Sequence, residues 1–297
     1  MINLALAVAC SVAIGMIFKH TGPQAIDRTA LLTVNYAVAG GVALLIIALG
    51  GRETGGGLGL SAGLLMLGGG VGALLIAGFY LLAYATDVAG MSLAVGVTRV
   101  SVVIPFLASW LVWSEVPSVA QGMGMILAAA AFFLIARKHR PPTEGEEGAL
   151  LDGVDWYAFG VLLLTFCSGG AVDLSMKTFE EGFGAANSRV LFLLLAFGVA
   201  FLIGAVIVAV RALRLGHWPT GRAVGWGVVL GVANYGSLEF ILRAIAELPG
   251  PFVFPANNIA IMVVSAIVGV YGWNERLSWA NQAGLGLAVL ALILLRL

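Results

Sequence analysis

Uncharged stretches long enough to cross a lipid bilayer dominate this 297-residue sequence. Seven stretches contain no Asp, Glu, Lys or Arg: 1–18, 29–51, 54–86, 116–136, 190–210, 248–274 and 277–295. Crossing the hydrocarbon core takes about 20 apolar residues in a helix. A backbone in lipid must satisfy its own hydrogen bonds, and these stretches lack the period-two alternation of barrel strands. They therefore predict membrane-spanning helices.

Composition excludes several other classes of protein. Charged residues make up 10% of the chain, against about 25% in a soluble domain. Fifteen basic and fifteen acidic residues cancel, which leaves no basic surface for nucleic acid. The two cysteines, Cys10 and Cys167, lie in apolar stretches, which excludes a disulfide framework and a cysteine-rich metal site. We expect no metal and no cofactor.

The predicted fold is all-α and integral to the membrane. The ten expected spans are 2–18, 29–49, 62–85, 90–112, 117–136, 156–176, 188–210, 223–245, 251–272 and 278–296. The loops between them are too short for a soluble catalytic domain, so the sequence does not predict an enzyme. The longest connection contains the polar linker 141–155, which separates segment 1–140 from segment 156–297.

The two segments match when the chain is shifted by 160 residues. Residues 113–124 read Trp-x-Glu-x-x-Ser-x-Ala-x-x-x-Gly, and residues 273–284 repeat this pattern without a gap. Each segment holds five expected spans, and an odd number makes the second segment enter the membrane in the opposite sense. The sequence therefore predicts an inverted repeat, which favours alternating access at a central site.

Glycine pairs at a spacing of four residues mark expected helix contacts. They occur as Gly68-x-x-x-Gly72 and Gly227-x-x-x-Gly231. Small residues allow helix backbones to approach closely in lipid, where no hydrophobic force drives helices together. The two pairs match within one residue of the 160-residue shift. We therefore interpret them as equivalent packing positions in the two segments.

These features resemble the EamA-type members of the drug/metabolite transporter superfamily. The resemblance rests on Phe18-Lys19 at the end of the first span, Arg28 before the second, and the Trp-x-Glu pattern before the fifth and tenth spans. It implies a multi-pass protein of the bacterial cytoplasmic membrane that exchanges a small-molecule substrate, as a monomer or homodimer. It also implies that both termini are cytoplasmic. The basic residues instead favour both termini outside, because more of them follow odd-numbered than even-numbered spans.

Arg99 is the most informative ionisable residue within an expected span. Such groups cost roughly 2.5–3.5 kcal/mol to insert, and most of them face the bundle interior. The planar guanidinium suits a carboxylate or phosphate, which indicates a substrate with an anionic group. Alternatively, Arg99 caps carbonyls or pairs with Glu239. The repeat places Asn258 opposite Thr98, so we expect Thr98, Arg99, Asn257 and Asn258 to form a binding site.

Four polar side chains are further candidates for lining the same cavity. Tyr80 and Tyr84 lie one turn apart in the third span, and Asn234 and Tyr235 are adjacent in the eighth. Tyrosine and asparagine in membrane bundles also serve as hydrogen-bonding links between helices. The sequence leaves both roles open for these residues.

Five charged residues are candidates for coupling or gating: Glu239, Arg243, Asp173, Lys177 and Lys19. Asp173 with Lys177, and Glu239 with Arg243, have the i, i+4 spacing that allows pairing on one helix face. A carboxylate in a cavity alternatively binds a proton or cation and couples transport to a gradient. Glu239 is the preferred candidate because it lies deeper in its span. The resemblance implies that Lys19, like Lys177 at the equivalent position, lies at a cavity mouth. The alternative is that it anchors the interface.

The predicted function is secondary transport of a small polar metabolite, and the sequence leaves open whether transport is coupled to protons. A lipid flippase with the same fold is the main alternative, because it needs only a lateral opening. An intramembrane enzyme is less favoured. No histidine lies in an expected span, which excludes the His-Glu-x-x-His site of a metalloprotease.

Overall fold

The computed structural model describes residues 1–22, 24, 26–49, 57–89, 91–136, 156–216, 218–273 and 279–297. Of these residues 87% are helical, and the one bridge outside helices joins Gly57 to Asn187. The helices are α1 Ile2–Thr21, α2 Arg28–Ala48, α3 Ala62–Ala89, α4 Met91–Val100, α5 Val103–Leu111, α6 Val119–Ala136, α7 Trp156–Gly182, α8 Arg189–Leu215, α9 Gly221–Glu247, α10 Gly250–Trp273 and α11 Trp279–Arg296. The predicted all-α class is confirmed.

In the described part of the chain, seven helices are long and apolar enough to cross a membrane: α1, α2, α3, α7, α8, α9 and α10. Shorter apolar stretches occur at 97–111, 119–131 and 282–296. Exposure follows the pattern of a protein in lipid rather than in water, since Leu213 is 80% exposed and Lys177 is 1% exposed. The chain is an integral membrane protein, as its uncharged stretches predict.

The Ser-x-x-Gln part of the repeated pattern forms the start of α6. Ser118 Oγ accepts from the Gln121 N–H at 3.1 Å, and Gln121 Oε1 accepts from the Ser118 N–H at 3.0 Å. These reciprocal bonds form a capping box, which satisfies two backbone donors at a helix N-terminus. The second copy of the pattern begins at 273, and residues 274–278 lie outside the described part of the chain, as does the polar linker 141–155.

The chain forms two compact units, and each draws on both sequence segments. Unit 1 contains Met1–Ala77 and Leu174–Val253, and unit 2 contains Gly78–Asp173 and Phe254–Leu297. In unit 1, α2 packs along α8 and α9, and α1 packs along α9. In unit 2, α6 packs along α11.

The glycine pair of the first segment lies against α8 in unit 1. A Cβ on Gly68 would lie 2.8 Å from the Cβ of Leu195, and a Cβ on Gly72 would lie 2.8 Å from the Cβ of Val199. Ordinary side-chain carbons do not approach this closely. Only glycine at these positions allows α3 and α8 to pack at this separation, so the packing role that the spacing predicts is confirmed.

The glycine pair of the second segment makes the corresponding contacts with α2. A Cβ on Gly227 would lie 2.7 Å from the Cβ of Val34, and one on Gly231 would lie 2.7 Å from the Cβ of Val38. The Asn35 carbonyl oxygen is equally close to the second position, at 2.7 Å. Both glycine pairs are therefore used as backbone contact points in unit 1.

Candidate binding site

The expected fourth span, 90–112, is not one continuous helix. It divides into α4 and α5 at a turn that begins at Ser101. Pro105 has no N–H to donate to the Ser101 carbonyl, and its ring crowds that oxygen. The Ile104 N–H donates to it instead, at 2.9 Å. The expectation of a single helix is therefore wrong, and the break leaves Arg99 in the last turn of α4.

Arg99 is held against α10 by an asparagine. Its Nη1 donates to Asn258 Oδ1 at 3.2 Å, and Asn258 Nδ2 donates to the Phe254 carbonyl at 3.1 Å. The second bond orients the amide so that its oxygen faces the guanidinium. Asn258 is buried and Arg99 is half-buried. The proximity of Arg99 and Asn258 that the repeat predicts is confirmed.

The neighbouring polar groups, Asn257 and Thr98, are arranged differently. The Thr98 carbonyl accepts from Ser101 Oγ at 2.7 Å, a bond that supports the turn after α4. Asn257 Oδ1 is buried, and no hydrogen-bond donor among the described residues reaches it. A buried acceptor without a partner costs about 1–3 kcal/mol. Asn257 therefore retains the capacity to accept a hydrogen bond.

Asp173 is associated with Arg99 and not with the residue one turn further along its own helix. Its charge acts electrostatically on the guanidinium. Lys177 donates instead to Glu181 Oε1, at 2.6 Å. The predicted pairing of Asp173 with Lys177 is therefore wrong. The reason is that α7 contacts the end of α4 near Asp173, and a tertiary partner replaces the local one. We call Arg99, Asn258 and Asp173 the Arg99 site.

The two tyrosines of the third span lie elsewhere in unit 2. The hydroxyl of Tyr84 contacts the hydroxyl of Tyr157, and their rings pack edge to face. Tyr157 precedes Asp173 by sixteen residues of α7, which is about 24 Å along a helix. Tyr80 packs edge-on against Phe79 and is 39% exposed. Tyr84 therefore pairs with Tyr157, a contact that the sequence did not indicate, and it does not belong to the Arg99 site.

The candidates on α9, Asn234 and Tyr235, lie in unit 1 and contact different residues. Asn234 Nδ2 donates to Asn35 Oδ1 at 3.2 Å, which links α9 to α2. Tyr235 is 8% exposed and packs against Phe197. Its hydroxyl is buried and has no hydrogen-bond partner among the described residues. For Asn234 the alternative role, a link between helices, agrees with the contacts.

Glu239 and Arg243 pair within α9, as their spacing predicts. Arg243 Nε donates to Glu239 Oε1 at 2.8 Å. Glu239 Oε2 is buried and reaches no donor in the described part of the chain. Arg243 is 43% exposed, so its guanidinium extends from the buried carboxylate toward the surface. Lys19 is exposed at the end of α1.

The Lys177–Glu181 pair predicts that its two residues contribute unequally to stability. The ammonium of Lys177 is fully buried, whereas Glu181 is 38% exposed. We expect Glu181→Ala to lower the thermal unfolding temperature more than Lys177→Met does. Removing Glu181 takes a carboxylate from a buried ammonium, whereas removing Lys177 leaves a carboxylate that water can reach. Thermal unfolding of both purified variants in the same detergent shows which substitution is more destabilising. A lower unfolding temperature for Lys177→Met than for Glu181→Ala would contradict the burial of Lys177.

A Gly-x-Ser-x-Gly sequence occurs at 59–63, the spacing of a hydrolase nucleophile. Ser61 Oγ accepts from the Leu64 N–H at 3.1 Å, so the side chain caps the start of α3. A nucleophile elbow connects a strand to a helix, whereas residues 58–61 before this helix are irregular. The geometry of this serine is that of a helix cap.

Sequence reasoning missed two polar interactions, one of a buried amide and one of a partly buried ion pair. Asn35 is 1% exposed and bonds to Asn234, and its position as an amide within an apolar span was the available signal. Arg189 binds Glu180 through two bonds, Nε to Oε2 at 2.9 Å and Nη2 to Oε1 at 2.6 Å. Both residues lie at helix ends, where a search for charges inside spans does not find them.

Comparisons with known proteins extend over the whole chain. No known protein-family model matches it. A protein of Haemophilus influenzae described as uncharacterized is 25% identical over 292 residues, which cover 95% of this chain and 93% of that protein. A solved crystal structure, described only as that of a protein, covers 99% of this chain and 94% of its own, with a TM-score of 0.76 and 13% identity. The latter similarity shows a shared fold.

Proposed function

We propose that the chain is a secondary transporter that moves a small polar metabolite with an anionic group across the membrane. The observation that carries the proposal is Arg99, a half-buried guanidinium fixed by Asn258 at the end of a broken apolar helix. An arginine is costly in this position, and such residues in membrane proteins mark substrate pathways. Only part of its five N–H donors is used by Asn258, so the remaining donors suit a carboxylate or phosphate.

The proposed mechanism is alternating access by an inverted repeat of five and five spans. The glycine contacts support it. Gly72 lies against Val199, and Gly231 lies against Val38. Each glycine belongs to the third span of one segment, and each valine belongs to the second span of the other. Exchange of the two segments therefore preserves the contact, as a repeat with a pseudo-twofold axis requires.

The proposal includes the family and the location. Ten spans in this arrangement, with Phe18-Lys19 and Trp113-x-Glu115, are the features that support an EamA-type member of the drug/metabolite transporter superfamily. Such a protein acts in the bacterial cytoplasmic membrane, as a monomer or homodimer, without a cofactor. The seven long apolar helices support a multi-pass protein.

The experiment that tests the function is counterflow in proteoliposomes. A panel of anions, including lactate, benzoate, phosphate and methanesulfonate, is first screened for an increase in the thermal unfolding temperature of the purified protein. The most stabilising anion is then loaded unlabelled into vesicles, and uptake of the labelled anion is measured. We expect the labelled anion to accumulate in vesicles that contain the protein and not in vesicles without protein.

The same vesicles distinguish the alternative function. A fluorescent phospholipid in the membrane reports lipid scrambling during the counterflow measurement. Scrambling without anion counterflow would identify a flippase and contradict the proposal. The proposal would also be contradicted if the vesicles showed neither scrambling nor counterflow and no anion in the panel stabilised the protein.

A further inference from the structure

Asp173 lies where α7 passes the end of α4. A Cβ on Gly169 would lie 2.8 Å from Ser101 Oγ and 3.8 Å from the Thr98 carbonyl oxygen, so α7 and the turn after α4 are in close contact here. Asp173 follows Gly169 by four residues and therefore lies on the same face of α7, one turn further along. This placement puts Asp173 close to the last turn of α4, which contains Arg99.

The described helices α3, α4, α5 and α10 of unit 2 carry one basic side chain. Titratable and charged side chains on the described parts of α3, α4, α5 and α10 in this unit are Tyr80, Tyr84, Asp87, Arg99 and Tyr271. On α7 itself they include Tyr157, Cys167 and Lys177. Tyr84 and Tyr157 contact each other far from Asp173, Tyr271 is 84% exposed, and Lys177 bonds to Glu181. Arg99 is the group whose charge acts on Asp173.

An anion at Arg99 would therefore share one positive charge with a second negative group. Two carboxylates at one site do not both ionise readily, because each disfavours the charge on the other. In a site of low dielectric this repulsion is large. Protonation of Asp173 relieves this repulsion directly, because a neutral carboxyl group no longer competes with the anion for the guanidinium.

We propose that Asp173 takes up a proton when an anion binds at Arg99, so that anion and proton move together through the transporter. The inference rests on the proposed function and names its coupling group. Binding of the anion favours the protonated carboxyl, and by reciprocity protonation strengthens anion binding. Affinity therefore increases as the pH falls, and release of the proton on the other side of the membrane weakens the hold on the anion.

Glu239, the preferred candidate from the sequence, is less suited to this role. Its Oε1 accepts a hydrogen bond from Arg243, so its charge already has a partner on the same helix. Lys177, the basic residue one turn further along α7 from Asp173, donates to Glu181.

The test measures the pH dependence of anion binding in the full-length protein. Lactate, benzoate and methanesulfonate remain ionised from about pH 6 to about pH 8, so their own titration does not contribute. We expect the wild-type affinity to fall by up to about tenfold per pH unit across this range. Asp173→Asn, which resembles the protonated state, is expected to bind tightly at every pH, whereas the exposed control Asp87→Asn keeps the wild-type slope.

A second measurement covers the case in which Asp173→Asn does not fold. Calorimetric titration of the wild-type protein in buffers of different ionisation enthalpy counts the protons taken up, and we expect about one per anion bound. No proton uptake, or a slope retained in Asp173→Asn, would overturn the inference while leaving anion binding intact. Failure of all three anions to bind the wild-type protein would instead overturn the Arg99 site, and the inference with it.

Discussion

Arg99→Ala is expected to abolish anion counterflow and anion-dependent stabilisation. The guanidinium supplies the only positive charge of the Arg99 site, and its removal leaves Asp173 to repel an anion. Losing one partner of a desolvated charge pair costs about 3 kcal/mol, or more than about a hundredfold in affinity. The loss should be measured as the ligand-induced shift of the unfolding temperature and as the initial rate of counterflow.

Two variants serve as controls for this result. Arg99→Lys keeps the charge but loses the planar fork, so we expect weakened binding with residual counterflow. Arg222→Ala removes the same charge from an exposed position at the start of α9, and its counterflow should match that of the wild type. Counterflow at the wild-type rate in Arg99→Ala would show that the anion binds elsewhere and would remove the proposed site.

The helices could be predicted from charge placement because lipid leaves few alternatives to a helix. The break in the expected span 90–112 was harder to predict. Pro105 ends the regular hydrogen bonding there, yet Pro255 lies inside the continuous helix α10. Proline frees a carbonyl in both cases, and whether the helix breaks depends on the groups that accommodate that carbonyl. Those groups belong to the tertiary structure.

The Arg99 site was predictable in part from the match between the two sequence segments. Thr98 and Asn258 are separated by the 160-residue shift at which the two segments match, so the sequence predicts that Arg99 and Asn258 lie close together, and they are in contact. The partner of Asp173 could not be inferred from spacing, because Lys177 has an acidic residue four positions before it and another, Glu181, four positions after it. The usual order, acid before base, favours Asp173. The packing of α7 against the end of α4 instead associates Asp173 with Arg99.

Gly72→Ala is expected to destabilise the protein by about 1–3 kcal/mol, the usual cost of overpacking. The added Cβ would lie 2.8 Å from the Cβ of Val199 and 3.1 Å from the Ala200 backbone nitrogen, and it would also contact the Ala196 carbonyl. Backbone atoms of a packed helix cannot move aside as a flexible side chain can. Thermal unfolding in detergent, followed by intrinsic fluorescence, measures the loss.

Gly70→Ala is the matched control on the same helix, because a Cβ at Gly70 has no heavy atom of the described structure within 4 Å. Its unfolding temperature should equal or slightly exceed that of the wild type, since alanine favours helix more than glycine. If the two segments are equivalent, Gly231→Ala must be as harmful as Gly72→Ala. Gly225→Ala is the control on α9, because a Cβ at Gly225 also has no heavy atom of the described structure within 4 Å. Tolerance of alanine at Gly231 but not at Gly72 would contradict the symmetric packing on which the alternating-access proposal depends.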